Sequence, residues 1–239
     1  MEMKMNIPYH IRVLLSERSA TSTLRAILLE QEKSGDKIKV SLPLLESSIE
    51  KYIEDYKSSH SDTPTKIPNS VFDTPDYQLI EALTKNKVIS SDIGPDEDMS
   101  WFALIKILNK PFLEKCYQWA RDASKGNIIS YGVFSLHRFT GEAYCSDTGT
   151  RLTPSRGLFH LFKAFLERAG HELTLQEIIY YRDQDRFKNP GNVKLELNKH
   201  LVYENIKDLK ERLQMKGKLT KLFVSTGKGY KLLEGDCRL

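Results

Sequence analysis

An α+β chain in two parts is what this sequence predicts: a separate N-terminal α/β domain over residues 1–124, and a C-terminal domain over 128–235 that closes with a helix and a hairpin. Three observations predict it. Helical and strand periods alternate along all 239 residues, and 40% of those residues are hydrophobic, enough for two cores. The run Ser124-Lys125-Gly126-Asn127 interrupts the pattern between a helix and a strand. Charge divides at the same place: residues 1–125 hold 17 Lys and Arg against 19 Asp and Glu, net −2, whereas residues 126–239 hold 19 against 13, net +6. That asymmetry assigns any polyanion-binding surface to the second part.

In the first part, His10–Leu15 (HIRVLL) is a short apolar run that predicts a buried strand. Ser19–Lys33 predicts a helix with Leu24, Ile27 and Leu28 on one face, ended by Ser34-Gly35. Lys37–Leu42 alternates Ile38, Val40 and Leu42 with Lys37, Lys39 and Ser41, the period of a half-buried strand. Pro43 opens an amphipathic helix whose stripe of Leu45, Ile49, Tyr52, Ile53 and Tyr56 is core packing. Ser58–Thr74 is rich in Ser, Thr, Pro and Asp and reads as a loop. Thr74 is a helix cap, with Pro75 at the first position of a helix that runs to Lys85. Val88-Ile89 predicts a brief strand and Ser91–Asp98 an acidic turn. Trp101, Phe102, Ile105 and Leu108 then suggest a helical face, which Pro111 interrupts before a helix over Phe112–Ala123 carrying Leu113, Cys116 and Trp119 inward.

In the second part, Ile128–Leu136 and Glu142–Cys145 predict short strands, with a turn at Asp147-Thr148-Gly149. Thr153 predicts a helix cap with Pro154 at the first position, and Leu158, Leu161, Phe162, Phe165 and Leu166 on the buried face. Gly170 ends that helix, and Thr174 caps the next, in which Leu175, Ile178 and Ile179 face inward. Further on, Val202, Ile206, Leu209 and Leu213 recur at spacings of four, three and four, leaving Tyr203, Lys207, Lys210 and Arg212 outward. A lysine-rich turn follows, then Lys221–Thr226 and Tyr230–Leu233 as strands of a hairpin tipped by Gly227-Lys228-Gly229. A helix with a cationic face beside a glycine-tipped hairpin is the outline of a winged helix, which places the helix in the DNA major groove and the hairpin near a flanking minor groove.

The motif order Leu152-Thr153-Pro154, then Gly170 to Thr174, then Gly227-Lys228-Gly229-Tyr230 resembles the OmpR/PhoB winged-helix family over residues 128–235. The resemblance implies a recognition helix over about 195–215 and a wing over about 222–233. It implies that Asn205, Lys207 and Asp208 face base edges, with Tyr203 beside them, and that Lys210 and Arg212 sit near phosphates. Such roles have a chemical basis: Asn pairs bidentately with adenine, Lys approaches guanine acceptors, and an amine near a phosphate replaces a counterion. Glu204 and Asp208 depart from the pattern, as does Thr226, which stands where the family commonly carries a basic residue; Lys228 and Lys231 are available to compensate. The implied protein is a DNA-binding transcription regulator with double-stranded DNA as partner, acting as a homodimer, and the loop 181–193 corresponds to the segment by which family members can contact RNA polymerase. The alternative is a winged-helix interaction protein that binds polymerase or another protein with little DNA binding, which Glu204, Asp208 and Thr226 favour.

A strand, helix and strand opening the first part resembles a response-regulator receiver domain, although Ser16-Glu17 stands where an acidic pair is needed. Asp92 and Lys110 lie 18 residues apart, too close to be phosphoacceptor and partner lysine of one such site. The first part is therefore either a degenerate receiver or an unrelated α/β sensing or dimerisation domain, and activation by phosphoryl transfer at Asp92 is not expected. Cys116, Cys145 and Cys237 have no C-x-x-C spacing, the six histidines have no metal-ligand spacing, and no P-loop, dinucleotide fingerprint or nucleophile elbow is present. No enzyme activity, metal or cofactor is expected. With no apolar run near the roughly 20 residues of a membrane span and no signal-peptide core at the N-terminus, a cytoplasmic protein without membrane contact is expected.

Overall fold

The computed structural model describes residues 6–34, 38–41, 43–61, 68–95, 101–184, 186–187, 189–193 and 199–235. They belong to two compact units, Met1–Ser124 and Lys125–Leu239, each of mixed helix and sheet. No helix among the described residues is long and apolar enough to cross a membrane.

The first unit runs α1 (Tyr9–Leu15), α2 (Ala20–Ser34), β1 (Ile38–Ser41), α3 (Pro43–Ser59), a 3-10 turn at Asn69–Phe72, α4 (Pro75–Lys85), β2 (Ile89–Pro95), β3 (Trp101–Ile107) and α5 (Lys110–Ser124). Its sheet is antiparallel, in the order β1-β3-β2. Leu24 and Ile27 of α2 and Leu113, Cys116 and Trp119 of α5 are buried where these helices pack. Thr74 caps α4 by accepting from the Tyr77 N–H at 3.4 Å, and the buried Asp76 accepts from the Thr23 hydroxyl at 2.7 Å, which ties α4 to α2. Burial among apolar neighbours pushes the Cys116 thiol up to about 12.

Three expectations for this unit are corrected. HIRVLL is helical: Ile7, Ile11 and Leu15 recur every four residues and are at most 1% exposed, and the Arg12 guanidinium donates to the Ile7 carbonyl at 2.7 Å. Trp101–Ile107 is a strand, in which buried Ala103 and Ile105 alternate with exposed Leu104 and Lys106. β2 extends through most of the expected acidic turn and puts Asp92 on an edge strand opposite Leu104. The opening strand on which the receiver resemblance stood is thus a helix, and every pairing in the sheet is antiparallel. Pro111 falls in the first turn of α5, where its missing N–H is not needed, while Asn109 accepts from the Phe112 N–H at 3.1 Å.

The second unit begins with a four-stranded antiparallel meander, β4 (Ile128–Tyr131), β5 (Phe134–His137), β6 (Glu142–Cys145) and β7 (Thr148–Arg151). There follow α6 (Gly157–Glu167), β8 (Glu172–Thr174), α7 (Leu175–Arg182), a 3-10 turn at Pro190–Asn192, α8 (Lys199–Arg212), a 3-10 segment at Gly217–Leu222, β9 (Phe223–Ser225) and β10 (Gly229–Leu232). β8, β10 and β9 form a second antiparallel sheet in that order. After the meander, the described residues thus show three α-helices, with a strand between the first two and a hairpin after the third. Residues 195–198 of the expected recognition helix lie outside the described residues.

Local differences from expectation have backbone causes. Residues 128–136 form two strands folded at Gly132, whose φ is +53° and whose missing Cβ makes room for the Glu234 carbonyl. Thr148 and Gly149 belong to β7. Thr153 does not cap α6: its carbonyl accepts from the Arg156 N–H at 2.9 Å in a turn, and the helix starts at Gly157. Thr174 does cap α7, in a reciprocal capping box with Glu177.

Gly157 joins the start of α6 to the end of α7, because a Cβ there would stand 1.6 Å from the Arg182 carbonyl oxygen. Gly157→Ala is expected to destabilise the second unit by about 3 kcal/mol, the upper end of overpacking costs, as measured by denaturant unfolding.

Candidate nucleic-acid interface

The third helix of the second unit, α8, is held by its apolar stripe. Val202, Ile206, Leu209 and Leu213 are 0–3% exposed and pack in the same core as Ile178 and Ile179 of α7 and Phe162 of α6. Burying each such side chain contributes on the order of 2 kcal/mol. The opposite face presents Tyr203, Lys207, Glu211 and Gln214 to solvent, with Lys210 half-buried at its margin.

Beside this face the chain turns sharply. Gln214 and Gly217 both have positive φ, at 54° and 56°, and the intervening Met215 is buried. The turn and the 3-10 segment after it expose Lys216, Lys218 and Lys221. A groove of about 210 Å³ separates α8 from the hairpin, lined among others by Tyr203, Lys207, Lys210, Met215, Thr220 and Tyr230. Its partial burial lowers the pKa of the Lys210 ammonium.

The hairpin tip is built by Thr226, not by a basic residue. The Thr226 hydroxyl donates to Glu172 and accepts from the Gly229 N–H at 3.1 Å, while Gly227 supplies a φ of +84°. The Lys228 carbonyl accepts from the Leu175 N–H at 3.2 Å, which leaves its side chain exposed at the tip. Lys231 pairs in register with Val224 and Glu172, so strand alternation places it on the sheet face opposite Tyr230 and away from the groove.

The expected contact residues therefore separate. Tyr203, Lys207 and Lys210 share the groove and Lys228 stands at the hairpin tip. Asn205 is corrected: at 3% exposure it faces the core, one helical turn from Val202 and Leu209, and its Nδ2 has no hydrogen-bond partner among the described residues. Asp208 is engaged with Arg182 of α7, Oδ2 to Nη2 3.6 Å, and Arg212 donates to the Arg151 carbonyl of β7 at 3.4 Å. Glu204 lies 3.9 Å from the Lys207 ammonium and 4.0 Å from the His200 ring. The residues missed were Lys216, Lys218 and Lys221, visible only as a lysine-rich turn, and Arg182, which no spacing connects to Asp208.

No protein-family model matches this chain. No curated protein matches either. Among solved structures it is similar to the DNA-binding domain of Klebsiella pneumoniae RstA, determined in complex with the RstA box, at 14% identity and a TM-score of 0.35 over 45% of this chain and 98% of that one.

The start of α7, on which α8 rests, depends on Thr174 and Glu177. Burial pushes the Glu177 carboxyl up, but the Thr174 N–H, the Arg168 guanidinium and the Thr174 hydroxyl favour its charged form and hold it below the usual glutamate value. A lowered folded-state value stabilises the fold above the unfolded value, and that stability is lost as pH falls through the folded one. Thr174→Ala is expected to cost about 1 kcal/mol in denaturant unfolding. The stability difference between wild type and Glu177→Gln should be largest near neutral pH and close as pH falls below the ordinary glutamate range.

Proposed function

We propose that the second unit binds duplex DNA through the outer face of α8 and the adjoining hairpin, and that the chain is a transcription regulator of the OmpR/PhoB-like winged-helix kind, acting without phosphoryl transfer. One observation carries this reading: Lys207 and Lys210 share a groove with Tyr203, Lys218 and Lys221 follow in the adjoining segment, and of the acids of α8, Glu204 and Asp208 have cations beside them while Glu211 lines the groove with the two lysines. Lys207 lies on the exposed face, suited to base edges or phosphate, and Lys210 and Lys228 are suited to the flanking backbone. Asp208 serves the fold through Arg182, and Arg212 serves it through Arg151. Neither is needed as a direct contact. A homodimer on DNA, contact with RNA polymerase through the loop 181–193 and a cytoplasmic location remain part of the proposal by resemblance.

Phosphate contacts release counterions, so affinity should fall linearly with log salt, each contact contributing roughly 0.9 to the slope. Lys207→Ala combined with Lys210→Ala is expected to lower the slope by about two and weaken binding at least about tenfold at low salt, measured by fluorescence anisotropy on duplex DNA. Asn205→Ala should leave the slope unchanged. Binding by wild type that is absent or insensitive to salt would count against the proposal and favour the reading as a protein-interaction module.

A further inference from the structure

The first unit repeats the topology of the second. From α2 onward its order is helix, strand, helix, helix, strand, strand: α2, β1, α3, α4, β2, β3. From α6 onward the second unit has the same order: α6, β8, α7, α8, β9, β10. In both sheets the strand after the first helix pairs with the last strand, and the last strand pairs with the middle one, all antiparallel: β1-β3-β2 and β8-β10-β9. In both, the first two helices pack on the third, α2 and α3 on α4 and α6 and α7 on α8, and the hairpin follows that third helix. The two units differ in that α6 and α7 pack on each other and α2 and α3, among the described residues, do not, but agreement in element order, in strand order and direction, and in the packing of the first two helices on the third points to a common fold, since short hairpins alone would not fix the position of the first strand.

The two third helices differ in chemistry. The outward residues of α4 are Gln78, Glu81 and Lys85, and the Lys85 ammonium lies 2.8 Å from the Glu81 carboxylate, which neutralises the stripe. A second side of α4 is covered by α1, an element with no counterpart packed on α8, and the Asn86 amide reaches the His10 ring at 3.1 Å across that contact. An electroneutral stripe gains little from counterion release.

We propose that the first unit is a second winged helix, making the chain a tandem of two, and that its α4 and hairpin face takes no part in DNA binding. Duplex DNA meets the chain through the second unit alone. The shared topology stands by itself, whereas the division of labour rests on the reading of the second unit as DNA-binding.

The experiment uses the full chain in two measurements. In duplex titrations over a salt series, Gln78→Ala combined with Lys85→Ala should stay within about twofold of wild type with an unchanged slope, while Lys207→Ala combined with Lys210→Ala lowers the slope by about two. A slope lowered by the first pair, or a tenfold loss of affinity, overturns the division of labour. If wild type binds no duplex, the reading of the second unit fails, and the tandem fold is decided by backbone nuclear Overhauser contacts. Cross-strand contacts from Leu104 to both Lys39 and Asp92 are expected, and a β1–β2 pairing or a parallel arrangement overturns the second winged helix.

Discussion

The closing hairpin of the second unit stands where it does because of one buried ring. Phe223 is the first residue of β9, and its ring lies edge-on to Phe165 of α6 at 5.0 Å and to Phe134 of β5 at 6.0 Å. Each such pair contributes about 0.5–1.5 kcal/mol beyond the apolar area it buries. Leu232, opposite Phe223 in β10, is also fully buried, so the hairpin is anchored at its base while its tip is exposed. A surface composed of a helix and a hairpin can recognise a rigid duplex only if their spacing is fixed beforehand. The aromatic cluster of Phe134, Phe162, Phe165 and Phe223 fixes it.

The same constraint explains why α8 tolerates acids. Asp208 and Glu204 stand near cations of their own unit, and these partly exposed pairs are worth at most about 1 kcal/mol each. Each carboxylate has a cation of its own unit within 4 Å, which offsets part of the repulsion it would exert on a phosphate. Thr226 has a comparable role, since its hydroxyl closes the hairpin tip onto Glu172 and the Gly229 N–H. Asp208 and Thr226 thus have structural contacts within the unit.

Much of the second unit was legible because its helices carry stripes wide enough to declare their period, as Val202, Ile206, Leu209 and Leu213 do. Even the burial of Asn205 could have been read there, since it sits three residues after Val202 and four before Leu209; the family resemblance pointed it outward instead. The first unit was harder. HIRVLL is too short to distinguish strand from helix by pattern, and its helical state follows from packing against α4 and α5. Trp101, Phe102, Ile105 and Leu108 happen to fit a helical spacing, yet β3 is the central strand between β1 and β2, and pairing on both sides outweighs that coincidence. Arg182 and Asp208 meet only after α7 and α8 pack, so no sequence spacing could link them.

We propose that the α8 and hairpin face of the second unit meets duplex DNA and that the corresponding face of the first unit does not. Lysine acylation footprinting of the full chain, with and without duplex at low salt, tests it directly. The account predicts protection of Lys207, Lys210, Lys218, Lys221 and Lys228, and unchanged reactivity at Lys85, Lys87 and Lys106. Equal protection in both units, or protection confined to the first, would contradict it.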